Sequence, residues 1–372
     1  MTNLVRYLFL LRPVWAVLMA LIVGSGLILL AGVSPLGAYG ELFRGAFLDY
    51  WGLAGTLVKT SPILLAGLAV ILPLRAGLLN IGAEGQIYMG ALFSAAAALY
   101  LPQMPTFLAL PICVLAGALG GGLWGMIPGY FKAYHGLNEV ILTILMNFIA
   151  INLVSYVAGG PMMQAGAPYP YSEEIRPSLW LPIILPQTDA HAGVVIGVAL
   201  AMIMYFVLRY STTGFALDTI GRNVNAARYA GVPVRPYLVG VMFVAGALGG
   251  LAGAFEVLGV KYRLYHHFSP GFGFDGIVVA FLAALNPILA PLAAFFLSGL
   301  KAGALVMQRA TGLESTVIEA IQGLVIIFVA ASLGLKLDAE KWAARLRGRE
   351  RLDRAVGDTF RKQGAKDADA TE

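Results

Sequence analysis

Apolar residues run through this chain in blocks of about twenty, separated by short polar clusters. A run of that length carries one helix across the ~30 Å hydrocarbon core of a bilayer. Ten blocks are legible, at 14–33, 55–74, 78–101, 107–130, 138–158, 192–208, 237–259, 274–285, 287–305 and 315–335. The pattern predicts an all-α, polytopic transmembrane bundle over 1–335 and a charged tail over 336–372. The eighth block is too short to cross alone, so it is a broken or re-entrant helix, or it fuses with the ninth around Asn286-Pro287. Non-helical backbone at that depth must be packed in protein or line a cavity.

Composition agrees with the pattern. The 372 residues are 59% hydrophobic and 12% charged, whereas soluble domains carry about 25% charge. A soluble enzyme and a disordered chain are excluded, and a nucleic-acid-binding module is a poor fit. The tail alone holds ten Lys/Arg and eight Asp/Glu and reads as a solvated helix or disorder. The net charge of +5 is spread along the chain and forms no basic patch for phosphate tracking.

Charge also sets orientation, because Lys and Arg accumulate on the cytoplasmic side. Arg6 and Arg12 precede the first block, which is too long for a cleaved signal peptide. With ten crossings, these two share one side with Arg75, Lys132, Arg209, Arg222, Arg228, Arg235 and the tail. Both termini are then cytoplasmic and 159–191 lies outside. Lys261 and Arg263 do not fit, since this arrangement puts them outside.

Two stripes of small residues, Gly117/Gly121/Gly125 and Gly246/Gly250/Ala254, let helix backbones approach closely. Other positions are expensive in lipid and need a reason. Asn80 and Glu84 lie four apart in "GLLNIGAEGQ", which predicts one shared helix face. Gly77, Gly82 and Gly85 weaken regular helix there, as suits an interrupted helix lining a cavity. The fifth block opens on Asn138-Glu139 and carries Asn147 and Asn152. Amides either bond a neutral ligand or tie helices together. Glu256, Asp275, Glu319 and Gln322 fall toward the outer half. Asn80, Glu84, Asn147, Glu256, Asp275 and Glu319 are the candidate path or gate residues. Tyr262, Tyr265, Phe268, Phe272 and Phe274 crowd an outer loop, where they anchor it or stack on a flat ligand. The four His form no metal-ligand set, and no phosphate-binding G-x-x-x-x-G-K-[ST] or hydrolase motif occurs.

The polar segment 209–235 is the longest internal one on the positive side. Asn223 is a predicted N-cap, and Gly231 with Pro233 is a stop. Between them lies a helix of about two turns, Val224 to Ala230. It is too short to be stable alone, and it either docks on a partner or rests on the bilayer.

The stretches "TIGRNVNAARYAGV", "RAGLLNIGAEGQIYMGA", "GLNEVILTILMNFIAINLVSY" and "FGFDGIVVAFLAALNP" resemble permease subunits of bacterial ATP-binding-cassette importers. The similarity is to the ribose/branched-chain-amino-acid-type permeases, in their nucleoside and simple-sugar branch, over about 50–335. It implies a non-catalytic inner-membrane subunit that moves a nucleoside or related solute, or less readily a simple sugar, by alternating access. The implied partners are two ATPase subunits, a second permease and an extracellular binding protein. ATP is used on the partner, and this chain binds no cofactor. The resemblance makes 221–232 the coupling helix that docks on the ATPase. Asn223, Ala227, Arg228 and Tyr229 are then the expected coupling residues. A self-contained proton- or sodium-coupled transporter, relaying ions through the carboxylates, is the alternative.

Overall fold

A computed structural model describes residues 12–314, 316–325, 327–328 and 331. Residues 23–323 form one compact unit, and the remaining residues belong to another. The expectations for the tail and for Arg6 lie outside the described residues. Among those described, the regular structure is helical, with only isolated β-bridges.

The helices are α1 (Arg12–Leu30), α2 (Pro35–Phe43), α3 (Tyr50–Arg75), α4 (Ala83–Tyr100), α5 (Thr106–His135), α6 (Glu139–Gly159) and α7 (Gly193–Tyr210). They continue with α8 (Thr212–Arg222), α9 (Val224–Tyr229), α10 (Val234–Glu256), α11 (Phe272–Leu282), α12 (Ala290–Thr311) and α13 (Thr316–Val325). Six of them are long and apolar enough to cross a membrane: α3, α5, α6, α7, α10 with its π-helical extension Val257–Lys261, and α12. Among the described residues, length and composition support six of the ten expected crossings. Of the other blocks, α11 and α13 are shorter apolar helices, and the third is interrupted at its start. The eighth and ninth blocks do not fuse. A turn with positive φ at Ala284 and Leu285 separates α11 from α12.

The small-residue stripes set the centre of the unit. A Cβ on Gly121 would lie 2.4 Å from the Gly246 carbonyl oxygen, and one on Gly250 would lie 2.2 Å from that of Gly117. Any larger residue would separate α5 from α10, so close packing is the reason for both stripes.

Opposite ends of α7 carry the two irregular regions. Before it, 160–192 is stapled to the chain after α10. Ser172 N donates to Leu264 O, Ile175 N to Tyr262 O, and Leu181 N to Leu258 O. Both misfit cations lie beside carboxylates: Arg263 pairs with Glu174 at 2.7 Å and bonds Gln164, and Lys261 lies 4.0 Å from Glu256. They remain a departure from the positive-inside pattern, which counts Lys and Arg alone. Past the other end of α7 come α8 and α9. An 18-residue helix spans ~27 Å, so the cap and the α8–α9 segment sit on opposite faces of the membrane unit.

Candidate functional site

Around the third apolar block, the residues build a bracket before they build a site. Gly77, at φ +76°, turns the chain at the end of α3, and 78–82 is not helical. Asn80 therefore shares no helix face with Glu84, which corrects the expectation from spacing. The glycines and the buried turn displace the helix start to Ala83. Asn80 is fully occupied within the protein. Its amide nitrogen donates to Ala69 O and Gln86 Oε1, and its oxygen accepts from Gly82 N and Gln86 Nε2. An amide has only two donors and two acceptor sites, so none is left for a solute in this state. Asn147 braces the same turn from α6, accepting from Gly85 N at 2.8 Å and donating to Ile81 O at 2.9 Å. Asn152 is exposed and donates to Phe148 O in its own helix.

Glu84 is 2% exposed and joins two helix starts. It stands in the first turn of α4, and its Oε2 accepts from Gly273 N, in the first turn of α11, at 2.6 Å. Helix N-termini favour a carboxylate. Ser269 adds a side-chain hydrogen bond.

Beyond Glu84 lies a constellation of charges. Lys301 of α12 reaches Asp275 of α11 at 2.5 Å. Glu256, at the end of α10, is 4% exposed and faces Lys261. Lys59 of α3 lies in the same field, attracted by Glu256 and Asp275 and repelled by Lys301 and Lys261. The set balances three ammonium groups against Glu84, Glu256 and Asp275. Each charge at mid-membrane costs about 2.5–3.5 kcal/mol on insertion scales, so mutual pairing is what makes the set tolerable. A balanced set has little net pull on an ion and many hydrogen-bonding groups for a neutral polar solute.

Glu319 is exposed on α13 and makes no ion pair among the described residues, so the structure does not bring it to this set. Lys59 and Lys301 were not singled out in the sequence. The signal was available, since each is a lone lysine inside a spanning block and carries the same cost as the carboxylates. Of the aromatic residues expected in an outer loop, Tyr262 and Phe268 are already engaged, whereas Phe274 is exposed. Tyr262 stacks on Trp180 at 3.9 Å, and Phe268 lies 4.6 Å from Tyr88. No cluster of three potential metal ligands occurs among the described residues.

At the opposite end, α9 is shorter by one residue than the spacing suggests, and its cap is as expected. Asn223 Oδ1 accepts from Asn225 N and Ala226 N. Tyr229 is 94% exposed and Arg228 is exposed, while Ala227 is fully buried. Ala227 packs into the chain's own core. This corrects the expectation of Ala227 as a coupling residue: its methyl group faces inward. The segment is tied to α3. Arg75 pairs with Asp218 at 3.3 Å, and a Cβ on Gly221 would lie 2.1 Å from Arg75 O.

Comparison with known proteins extends this picture. A family profile described as the permease component of branched-chain amino acid transport systems matches residues 52–330. The chain is 36% identical to the guanosine ABC transporter permease protein NupP of Bacillus subtilis, over 89% of this chain and 96% of that relative. It is 36% identical to the glucose ABC transporter permease protein TsgB13 of Haloferax volcanii, over 86% and 87%. It is 28% identical to the nucleoside ABC transporter permease protein NupB of Lactococcus lactis, over 86% and 90%.

Proposed function

Because the chain belongs to the permease family of branched-chain amino acid transport systems, we propose that it is the membrane subunit of an ABC importer for nucleosides. The observation that carries this reading is the similarity to a guanosine permease along nearly the whole of both chains. The equally similar glucose permease makes a simple sugar the second reading. Both solutes are neutral and rich in hydroxyl groups. The balanced set of Lys59, Glu256, Asp275 and Lys301 suits that chemistry better than an ion relay, because each carboxylate already faces a cation.

ATP is hydrolysed on two partner ATPase subunits, with a second permease and an extracellular binding protein completing the importer. The exposed Tyr229 and Arg228 dock α9 on the ATPase. The tie of Gly221 to Arg75 passes the motion to α3, which carries Lys59. With α9 cytoplasmic, the 160–192 cap faces outward in a bacterial inner membrane, where the binding protein delivers its load.

Reconstitution of the chain with its partners in liposomes tests this. ATPase activity stimulated by the guanosine-loaded binding protein is the expected result. Stimulation by glucose alone selects the sugar reading. Uptake driven by a proton or sodium gradient without ATP refutes the ABC reading.

A further inference from the structure

A groove of about 580 Å³ runs between α7 and α10. Its walls are Leu200, Met204 and Leu208 on α7 and Tyr237, Val241 and Leu248 on α10. Helix α7 packs against α3 and α8 and stands away from α10, so the groove is built into the arrangement of spans. Along α10 it runs from Pro236 to Leu248. Those twelve steps rise about 18 Å, close to the ~15 Å depth of one leaflet's hydrocarbon.

Pro236 also lines a second hollow of about 330 Å³, together with Arg228 and Arg235. Neither arginine has a carboxylate partner among the described residues. The Arg235 guanidinium lies over the Tyr134 ring at 5.3 Å, which orients it and leaves its N–H edge free. Through Pro236, which lines both, an apolar slot one leaflet deep adjoins a hollow with two cations that lack carboxylate partners among the described residues. That combination matches an amphiphile with an anionic head.

We propose that this groove binds one acyl chain of an anionic phospholipid, with the phosphate held by Arg228 and Arg235. Basic pockets at the ends of spans recognise such headgroups. The site is separate from the charged constellation and shares Arg228 with α9, so it is a lipid site at the edge of that segment and not part of the solute path.

Gly240 supplies the test. A Cβ there meets nothing within 4 Å, so a bulky residue fills the groove without striking the fold. The full chain, purified in detergent, is titrated with phosphatidylglycerol or phosphatidylcholine of identical chains, and bound lipid is counted by native mass spectrometry. Phosphatidylglycerol is expected to bind about twentyfold more tightly, at about fivefold per arginine. Gly240→Trp should weaken both lipids by about tenfold or more, while Gly240→Ala binds as wild type. Arg235→Gln should reduce the preference to about fivefold, weakening phosphatidylcholine less than phosphatidylglycerol because the choline cation already offsets the pull of the arginines on its phosphate. Equal binding of the two lipids overturns the proposal, as does wild-type binding by a monodisperse Gly240→Trp chain. Full displacement by inorganic phosphate reduces the site to an anion hollow and refutes the acyl-chain assignment. Disulfide capture of a partner permease by Val244→Cys in a lipid-free complex shows that protein fills the groove, and the proposal falls.

Discussion

The Lys301 ammonium lies 2.5 Å from the Asp275 carboxylate, joining α12 to the first turn of α11 inside the membrane unit. Both groups are largely withdrawn from solvent, so each depends on the other. Removing one partner of a buried pair costs about 3–5 kcal/mol, whereas replacing both with neutral residues is often tolerated. Lys301→Met or Asp275→Leu alone is expected to lower membrane abundance severalfold. The double variant is expected to recover abundance but not uptake, if the charges contact the solute. Quantitative immunoblots of membranes beside uptake per molecule separate the two effects. A double variant with full uptake removes the pair from the path.

Asn80 carries a different expectation. Asn80→Ala leaves Ala69 O, Gly82 N and both polar atoms of the Gln86 amide without their partners. Each orphaned buried group costs about 1–3 kcal/mol. The variant should therefore lose folded protein in step with uptake. Normal abundance with lost uptake would instead mean that the bracket opens onto the solute.

Much of the bundle was legible because lipid imposes one rule: a crossing helix needs about twenty apolar residues. The glycine stripes and the Asn223 cap were readable for a similar reason, as each is a local device with one dominant use. The interruption before α4 was legible from its glycines, but the partners of Asn80 were not. They come from Ala69, upstream in α3, and from Gln86, six residues on, and only the folded turn brings them together. Helical spacing misled at Asn80 because the helix begins three residues later. The pairings of Lys301 with Asp275 and of Arg263 with Glu174 join residues 26 and 89 apart. No periodicity in one sequence encodes such distances.

Acid is expected to weaken the 160–192 cap through His191. Its Nδ1 accepts from Gly193 N at 3.1 Å, and its Nε2 is buried without a hydrogen-bond partner among the described residues. Burial pushes its pKa down to about 4. The unfolded chain titrates near the ordinary value of about 6.5, so it binds more protons than the folded one between these values. Stability is fully present above pH ~6.5 and falls as pH drops toward 4, by on the order of 3 kcal/mol. Melting of the purified chain across that range should show the loss, and His191→Gln should flatten it. An equally steep loss in the variant would place the acid sensitivity elsewhere.

The proposed docking helix α9 yields the sharpest contrast, between neighbouring residues. Tyr229 is 94% exposed and Ala227 fully buried, two residues apart. An exposed aromatic anchor commonly dominates a small contact, where its removal costs 2 kcal/mol or more. Tyr229→Ala is therefore expected to leave the fold and membrane abundance intact. It should reduce ATPase copurification and solute-stimulated hydrolysis by about thirtyfold, as 2 kcal/mol implies. Ala227→Trp should act otherwise, by overfilling the chain's own core and lowering abundance before any partner is met. Gly221→Ala tests transmission. Its new Cβ would meet Arg75 O at 2.1 Å, so α8 must shift against the end of α3. That variant should keep the ATPase bound but lose stimulation by the loaded binding protein. Copurification and stimulated hydrolysis, measured on all three variants in one reconstituted complex, distinguish docking, folding and transmission. If Tyr229→Ala matches wild type in both assays, α9 is not the docking element.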